Sequence, residues 1–273
     1  MPDISQLSIN TATVRGRYRL DEILDAVARH GIPAVSPWRD QIAELGLAET
    51  ARRIRDLGLK VSGLCRGGMF PANDRAGFES NLADNRRAAD EAAELNADCL
   101  VLVVGGLPDG SKDLAGARSQ VRDGIAALQD YATPLGVKLA IEPLHPMYCA
   151  DRAVVNTMAQ ALDICDEIGG EVGVACDVYH VWWDPDLERQ IARAGKARLH
   201  AFHICDWLRQ TKDLLLDRGM MGDGVIDIAQ VRGWVEAQGY DGFHECEIFS
   251  AQDWWTRNID EVLKTVIERH RAC

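Results

Sequence analysis

The chain has 273 residues, with 30 Lys plus Arg against 42 Asp plus Glu and a formal net charge of −12 at pH 7. That length suits one α/β barrel with a substantial core. So acidic a surface repels polyanions, which argues against DNA or RNA as a partner and says nothing against a neutral sugar.

Short β-rich runs alternate with amphipathic helical runs along the chain. The first strand is expected at 4–9 and its helix at 19–29, then a strand at 32–35 and a helix at 39–57. A strand at 59–64 precedes a helix at 78–95, and a strand at 99–103 precedes one at 116–133. Strands at 137–141 and 172–176 are followed by helices at 154–167 and 185–194. The last two strands fall at 198–204 and 243–248, with helices at 227–238 and 253–270. Such alternation implies βαβ units and a parallel sheet. Eight strand candidates fit a closed (β/α)8 TIM barrel, read as a single domain over 1–273. Gly31, Gly58, Gly136, Gly169 and Gly239 lie where helices stop before strands. No GxGxxG follows the first strand, which counts against a dinucleotide fold.

The eight cysteines contain no CxxC pair and read as core filler in a reducing compartment. The start, MPDISQLSIN, lacks the basic and apolar regions of a signal peptide, and the longest aliphatic run, 100–104, is too short for a membrane span. A cytoplasmic protein without a membrane partner is the expectation.

Glu142, Asp177, His203 and Glu247 all fall at or just beyond the C-terminal ends of expected strands. Catalytic groups of a barrel collect at that edge. Three carboxylates and one imidazole make a hard site for one divalent metal, Mn2+ first, with Mg2+, Co2+ or Zn2+ also accommodated. Without a cation the acids would repel one another. Period two puts Glu245 and Glu247 on the same side of the last strand. Glu247 is nearer the open end and is the expected ligand, with Glu245 lower and paired to a buried basic or polar group. Trp38, Trp182, Trp183, Trp207, Trp254 and Trp255 follow strands and are expected around the mouth, where flat faces suit a sugar or cyclitol ring. GMMGDG at 219–224 reads as a mobile lid loop.

The fragments IEPLHP (141–146), CDVYH (176–180), FHICD (202–206) and GYDGFHECEIFS (239–250) resemble the xylose-isomerase-like sugar-phosphate isomerase/epimerase superfamily, on the side of inosose isomerases and tagatose-type epimerases. The resemblance covers essentially the whole chain. It implies Glu142, Asp177, His203 and Glu247 as metal ligands, with Glu142 and Glu247 also moving protons. It places His180 and Arg209 on substrate oxygens. A further glutamate of the ketose epimerases falls on Tyr148 here, which argues against a straightforward ketohexose epimerase. The three-zinc endonucleases of the same superfamily need more histidines than the 7 present. A homodimer or homotetramer is a family expectation.

The chemistry expected is isomerisation or epimerisation of a non-phosphorylated keto-sugar or keto-inositol through an enediolate. Glu142, Glu247 and His180 are the catalytic candidates; His145, Arg209, Trp38, Trp183 and Trp207 are the substrate-binding ones. Asp206 is expected to hold Arg209 or the ring of His203. A phosphate is not expected, because Gly67–Gly68 and Gly105–Gly106 are ordinary turn residues and Arg66 is the only charge nearby. The alternative is a lyase or dehydratase that uses the same enolisation to expel a β-leaving group, as from a 3-keto-glycoside.

Overall fold

The computed structural model describes residues 4–273; residues 1–3 of the expected domain lie outside the described residues. Nine parallel strands form one sheet: β1 (Leu7–Asn10), β2 (Ala34–Ser36), β3 (Lys60–Val61), β4 (Leu64–Gly68), β5 (Leu100–Val103), β6 (Leu139–Ile141), β7 (Val172–Asp177), β8 (Leu199–Ile204) and β9 (His244–Cys246). Their order, β3-β2-β1-β9-β8-β7-β6-β5-β4, runs round a nearly closed barrel. β3 and β4 are two halves of one barrel position, interrupted at Ser62 and Gly63. The seam closes through Ser62 N–H to Val35 O (3.0 Å), Cys65 N–H to Pro37 O (3.1 Å) and Leu64 N–H to Cys99 O (2.9 Å). The nine strands thus occupy the eight positions expected of a TIM barrel.

Period two along each strand sorts the side chains into two cores. Outward residues such as Leu7, Ile9, Leu100, Leu102, Leu139 and Ile141 pack under the helices. Inward, a small cluster of Cys65, Cys99, Val101, Ala140, Ala175 and Ala201 fills the barrel, with Trp38 against it. The residues two further along β6, β7 and β8 from those alanines are Glu142, Asp177 and His203. The alternation that keeps the lower barrel small and apolar therefore aims these polar groups inward at its upper end.

Two of the departures from expectation have a clear local cause. The helix of 39–57 is two helices, α2 (Arg39–Leu45) and α3 (Leu47–Asp56), because Gly46 takes φ 96°, outside helical backbone. The third strand continues past residue 64, through Gly67 and Gly68, which are ladder residues and not a turn. A Cβ on Gly68 would sit 1.9 Å from Val103 O, so the strands approach there as only glycine permits. Elsewhere local capping sets the boundaries. Asp74 accepts from Gly77 N–H to start α4 (Arg75–Glu94), and Thr157 accepts from Gln160 N–H to start α6 (Met158–Ile168). Between them come α5 (Leu114–Ala132) and, nearer the N-terminus, α1 (Leu20–Arg29). Past β7 lie α7 (Val178–Val181), α8 (Leu187–Arg198), α9 (Ile228–Ala237) and α10 (Ile259–His270).

The loop at 219–224 is not free to swing as a lid in this structure. Met220 and Met221 are buried. Asp206 Oδ2 accepts from Gly222 N–H (3.0 Å) and Gly224 N–H (2.8 Å), and Oδ1 accepts from Ile226 N–H (3.0 Å). Asp206 therefore ties down this loop, and its expected bond to Arg209 or His203 is not made.

Candidate active site

Glu142 follows β6, Asp177 ends β7, His203 lies in β8 and Glu247 follows β9. One ligand atom from each lies within 4.8 Å of the other three, and all four residues are buried. His203 Nδ1 is 3.0 Å from Glu142 Oε1 and 4.0 Å from Glu247 Oε2. The other ring nitrogen, Nε2, lies 3.5 Å from Glu245 Oε1 without a well-formed hydrogen bond. Burial alone would make His203 less basic, but Glu245, Glu142 and Glu247 outweigh it and raise its pKa well above the imidazole range. Burial pushes Asp177 up to about 6 against the opposing pull of Arg218, and it raises Glu247 as well.

Glu245 sits below the four on the inward face of β9. Its Oε1 accepts from Asn10 Nδ2 (2.8 Å) and its Oε2 from Ser62 Oγ (2.8 Å). The same Asn10 amide donates to Glu247 Oε1 (2.8 Å), and Trp38 Nε1 donates to Asn10 Oδ1 (2.7 Å). One side chain at the end of β1 thus fixes both glutamates of β9 and the indole above them.

A second cation inside this cluster is Arg218. Its Nη1 donates to Asp177 Oδ2 (3.2 Å) and Glu247 Oε2 (3.0 Å). The guanidinium lies 4.3 Å from the Tyr179 ring centre and 5.0 Å from that of Phe249. Nothing in the sequence distinguishes this loop arginine from Arg209, which is exposed and lies outside the cavity. His180 is buried, and its Nδ1 accepts from His145 N–H at 3.2 Å. Burial and then Arg218 hold its pKa well below the usual imidazole value, so the ring is neutral. Its Nε2 lies 3.6 Å from Asp177 Oδ2 and 3.3 Å from Arg218 Nη2.

A cavity opens over these groups. Glu142, Glu247, His180 and Arg218 line it, together with Trp38, Phe249, Tyr148, Arg66 and Arg152. Trp38 meets Phe249 edge-on, ring centres 5.4 Å apart. His145, Trp183 and Trp207 are not part of this lining. They form a pile behind it, in which Trp207 stacks on His145 (4.8 Å) and on Tyr179 (4.8 Å), and Trp183 Nε1 donates to His180 O (2.8 Å). Their position supports the wall that carries His180 and Arg218.

The donor set fits a divalent cation. Three carboxylates and an imidazole nitrogen converge, and they hold positive charge at His203 strongly enough to overcome its burial. With Nε2 toward Glu245, the free lone pair of a neutral His203 is on Nδ1, among the acids. That carboxylate–histidine arrangement is the usual support of a metal-bound ring.

The model of the xylose isomerase-like TIM barrel family matches residues 24–270. The chain belongs to that family. Within the same fold, protein SMc04130 from Sinorhizobium meliloti 1021 is 60% identical, with a TM-score of 0.98 and 99% of each chain covered. IolI protein with a bound zinc atom superposes at a TM-score of 0.84 with 20% identity, over 97% of this chain and 96% of its own. The 3-keto-D-glucoside 4-epimerase YcjR from E. coli gives 0.76 with 18% identity, over 98% and 99%. No curated protein matches the sequence significantly. This member of the family carries an acid and imidazole cluster at the C-terminal edge of its barrel strands. No helix among the described residues is long and apolar enough to cross a membrane.

Proposed function

We propose that the chain is a divalent-metal-dependent isomerase or epimerase of a keto-sugar or keto-inositol, acting through an enediolate. The observation that carries this reading is the convergence of Glu142, Asp177, His203 and Glu247 within 4.8 Å beneath one cavity. Those four residues would hold the ion, with manganese as the expected metal. A divalent ion there polarises a carbonyl and lowers the cost of removing the neighbouring C–H proton.

Glu142 and Glu247 stand on different strands and both line the cavity. One removes the proton and the other returns it, so reprotonation can occur on the opposite face or the adjacent carbon. Burial raises the pKa of Glu247, which makes it a better proton acceptor than an ordinary carboxylate. His180, neutral and lining the cavity, hydrogen-bonds a substrate hydroxyl. Trp38 and Phe249 cover the apolar side of the ring and exclude water. The zinc of IolI protein and the epimerase activity named for YcjR support a metal and a keto-sugar for this chain too.

The test is proton NMR of the manganese-loaded protein in D2O with a panel of inososes, ketohexoses and 3-keto-glucosides. Deuterium next to the carbonyl, with every hydroxyl retained, is the expected result. Loss of a hydroxyl or aglycone would reassign the chain to the lyase class. Glu142→Gln should abolish exchange while the protein still folds, with metal content measured alongside.

A further inference from the structure

Beyond the ion site, the cavity has a second chemical character. Arg66 and Arg152 both line it. Arg66 is half-buried, and among the described residues it forms no ion pair and its guanidinium donates no hydrogen bond. Its neighbours on the adjoining surface are different. Arg39 is paired with Asp84 and Glu91, and Arg15 with Asp40. Among the described residues, Arg152 has only the exposed Asp151, 3.8 Å away, as an ion-pair partner. Asp213 also faces it, but one oxygen of Asp213 is occupied by the N–H groups of Leu215 and Leu216. Burial and then the charge of Arg152 lower the pKa of Arg66, and Glu142 and the Cys65 thiol oppose this only weakly. A guanidinium cannot escape such a setting by losing its proton, as a lysine can. Tyr148 adds a buried hydroxyl on the same lining with no hydrogen-bond partner. Its ring centre lies 5.7 Å from the Arg152 guanidinium carbon.

Two under-paired guanidiniums and an unpartnered phenol in one cavity call for an anion. Arg218 does not share in this, because Asp177 and Glu247 already hold it. Resting on the isomerase reading, we infer that the substrate is an anionic keto-sugar, whose carboxylate or phosphate is bound by Arg66, Arg152 and the Tyr148 hydroxyl while its carbonyl end lies over Glu142 and Glu247. A phosphate there would depart from the non-phosphorylated substrate expected from the sequence, whereas a carboxylate would not. A planar fork of donors such as Arg66 suits carboxylate and phosphate oxygens alike, so the two sources are separated by experiment.

The experiment is calorimetric titration of the manganese-loaded full chain with D-fructose, D-fructuronate and D-fructose 6-phosphate, which share a ketone and differ in charge. The charged member that fits should bind at least about ten-fold tighter than fructose, on the scale of a charge-assisted hydrogen bond, and which one does so identifies carboxylate or phosphate. Arg66→Met and Arg152→Met should each remove most of that preference, and Arg66→Lys should restore part of it. Tyr148→Phe should reduce it by a smaller factor. Equal binding of all three, including none, or a preference that survives both methionine variants would overturn the inference. If Arg66→Met does not fold, Arg152→Met decides. Deuterium exchange on the same samples judges the isomerase reading separately. Exchange without charge preference rejects the anion site alone; charge preference without exchange rejects the catalytic assignment alone.

Discussion

Removing Arg218 would leave Asp177 Oδ2 and Glu247 Oε2 facing each other in a buried site with their shared cation gone. Breaking one partner out of a buried ion pair costs about 3–5 kcal/mol. A divalent ion would restore the missing positive charge. Arg218→Met is therefore expected to destabilise the chelated protein by that amount and the manganese-loaded protein by much less, as read from urea unfolding in both states. Equal losses would mean that Arg218 acts mainly by packing on Tyr179 and Phe249. Glu245 acts differently, since it faces Nε2 of His203 and not the cavity. Glu245→Gln keeps the shape but removes the charge that orients the ring, and should weaken manganese binding about 10- to 100-fold. Competition against a chelating dye measures this, and an unaltered affinity would reduce Glu245 to a structural acid held by Asn10 and Ser62.

Two glycines with positive φ show how differently one conformation can matter within an element. Gly46 (φ 96°) ends α2 with open space where a Cβ would go, so Gly46→Ala should cost about 1–3 kcal/mol of backbone strain and no clash. Gly68 (φ 109°) would place its Cβ 1.9 Å from Val103 O, so Gly68→Ala has to part β4 from β5 and should fail to give a stable barrel. Urea midpoints of the two variants make the comparison. The same pair marks where the sequence could be read and where it could not. Eight strand positions and their helices were legible because period two and period 3.6 are strong over each run. The break at Gly46 was hidden because the amphipathic pattern continues on both sides of it, and β4 was cut short because CRGG reads locally as a turn. The four acid and imidazole groups were legible from strand ends alone. Arg218, Asn10, Ser62 and Arg152 depend on loops and neighbours distant in sequence, which no periodicity reports. GMMGDG read as a lid for the same reason, since its anchor, Asp206, belongs to the preceding loop. Asp206→Asn keeps one accepting oxygen of two, so the amides of Gly222, Gly224 and Ile226 should exchange faster with solvent, whereas unchanged protection would place the anchor in Met220 and Met221.

Across the whole molecule, acid should act through groups outside the cavity as well as within it. His244 at the start of β9 and His270 at the end of α10 share one contact, Nδ1 to Nε2 at 3.0 Å, that joins the last helix to the barrel. His244 is buried, edge-on to Phe202, with Arg232 on the α9 side and Glu236 Oε1 3.7 Å from its Nε2. Burial, then the charges of Arg232 and His270, lower its pKa from 6.5 to about 3. A histidine with a depressed folded pKa binds its proton more readily when unfolded. Its contribution to stability is therefore complete above about 6.5 and is lost as pH falls toward about 3. At about 1.4 kcal/mol for each unit of difference, roughly 3 kcal/mol should disappear between about pH 7 and about pH 4. Asp177, raised to about 6 in the metal-free site, works with the opposite sign, because its folded form binds the proton more readily and its contribution is lost as pH rises. The two are separated by unfolding chelated wild type and His244→Gln in urea across that range. The stability gap between them should narrow steadily as pH falls, since glutamine cannot take up the proton. A gap that stays constant would show that His244 is not the group through which acid loosens α10 from the barrel.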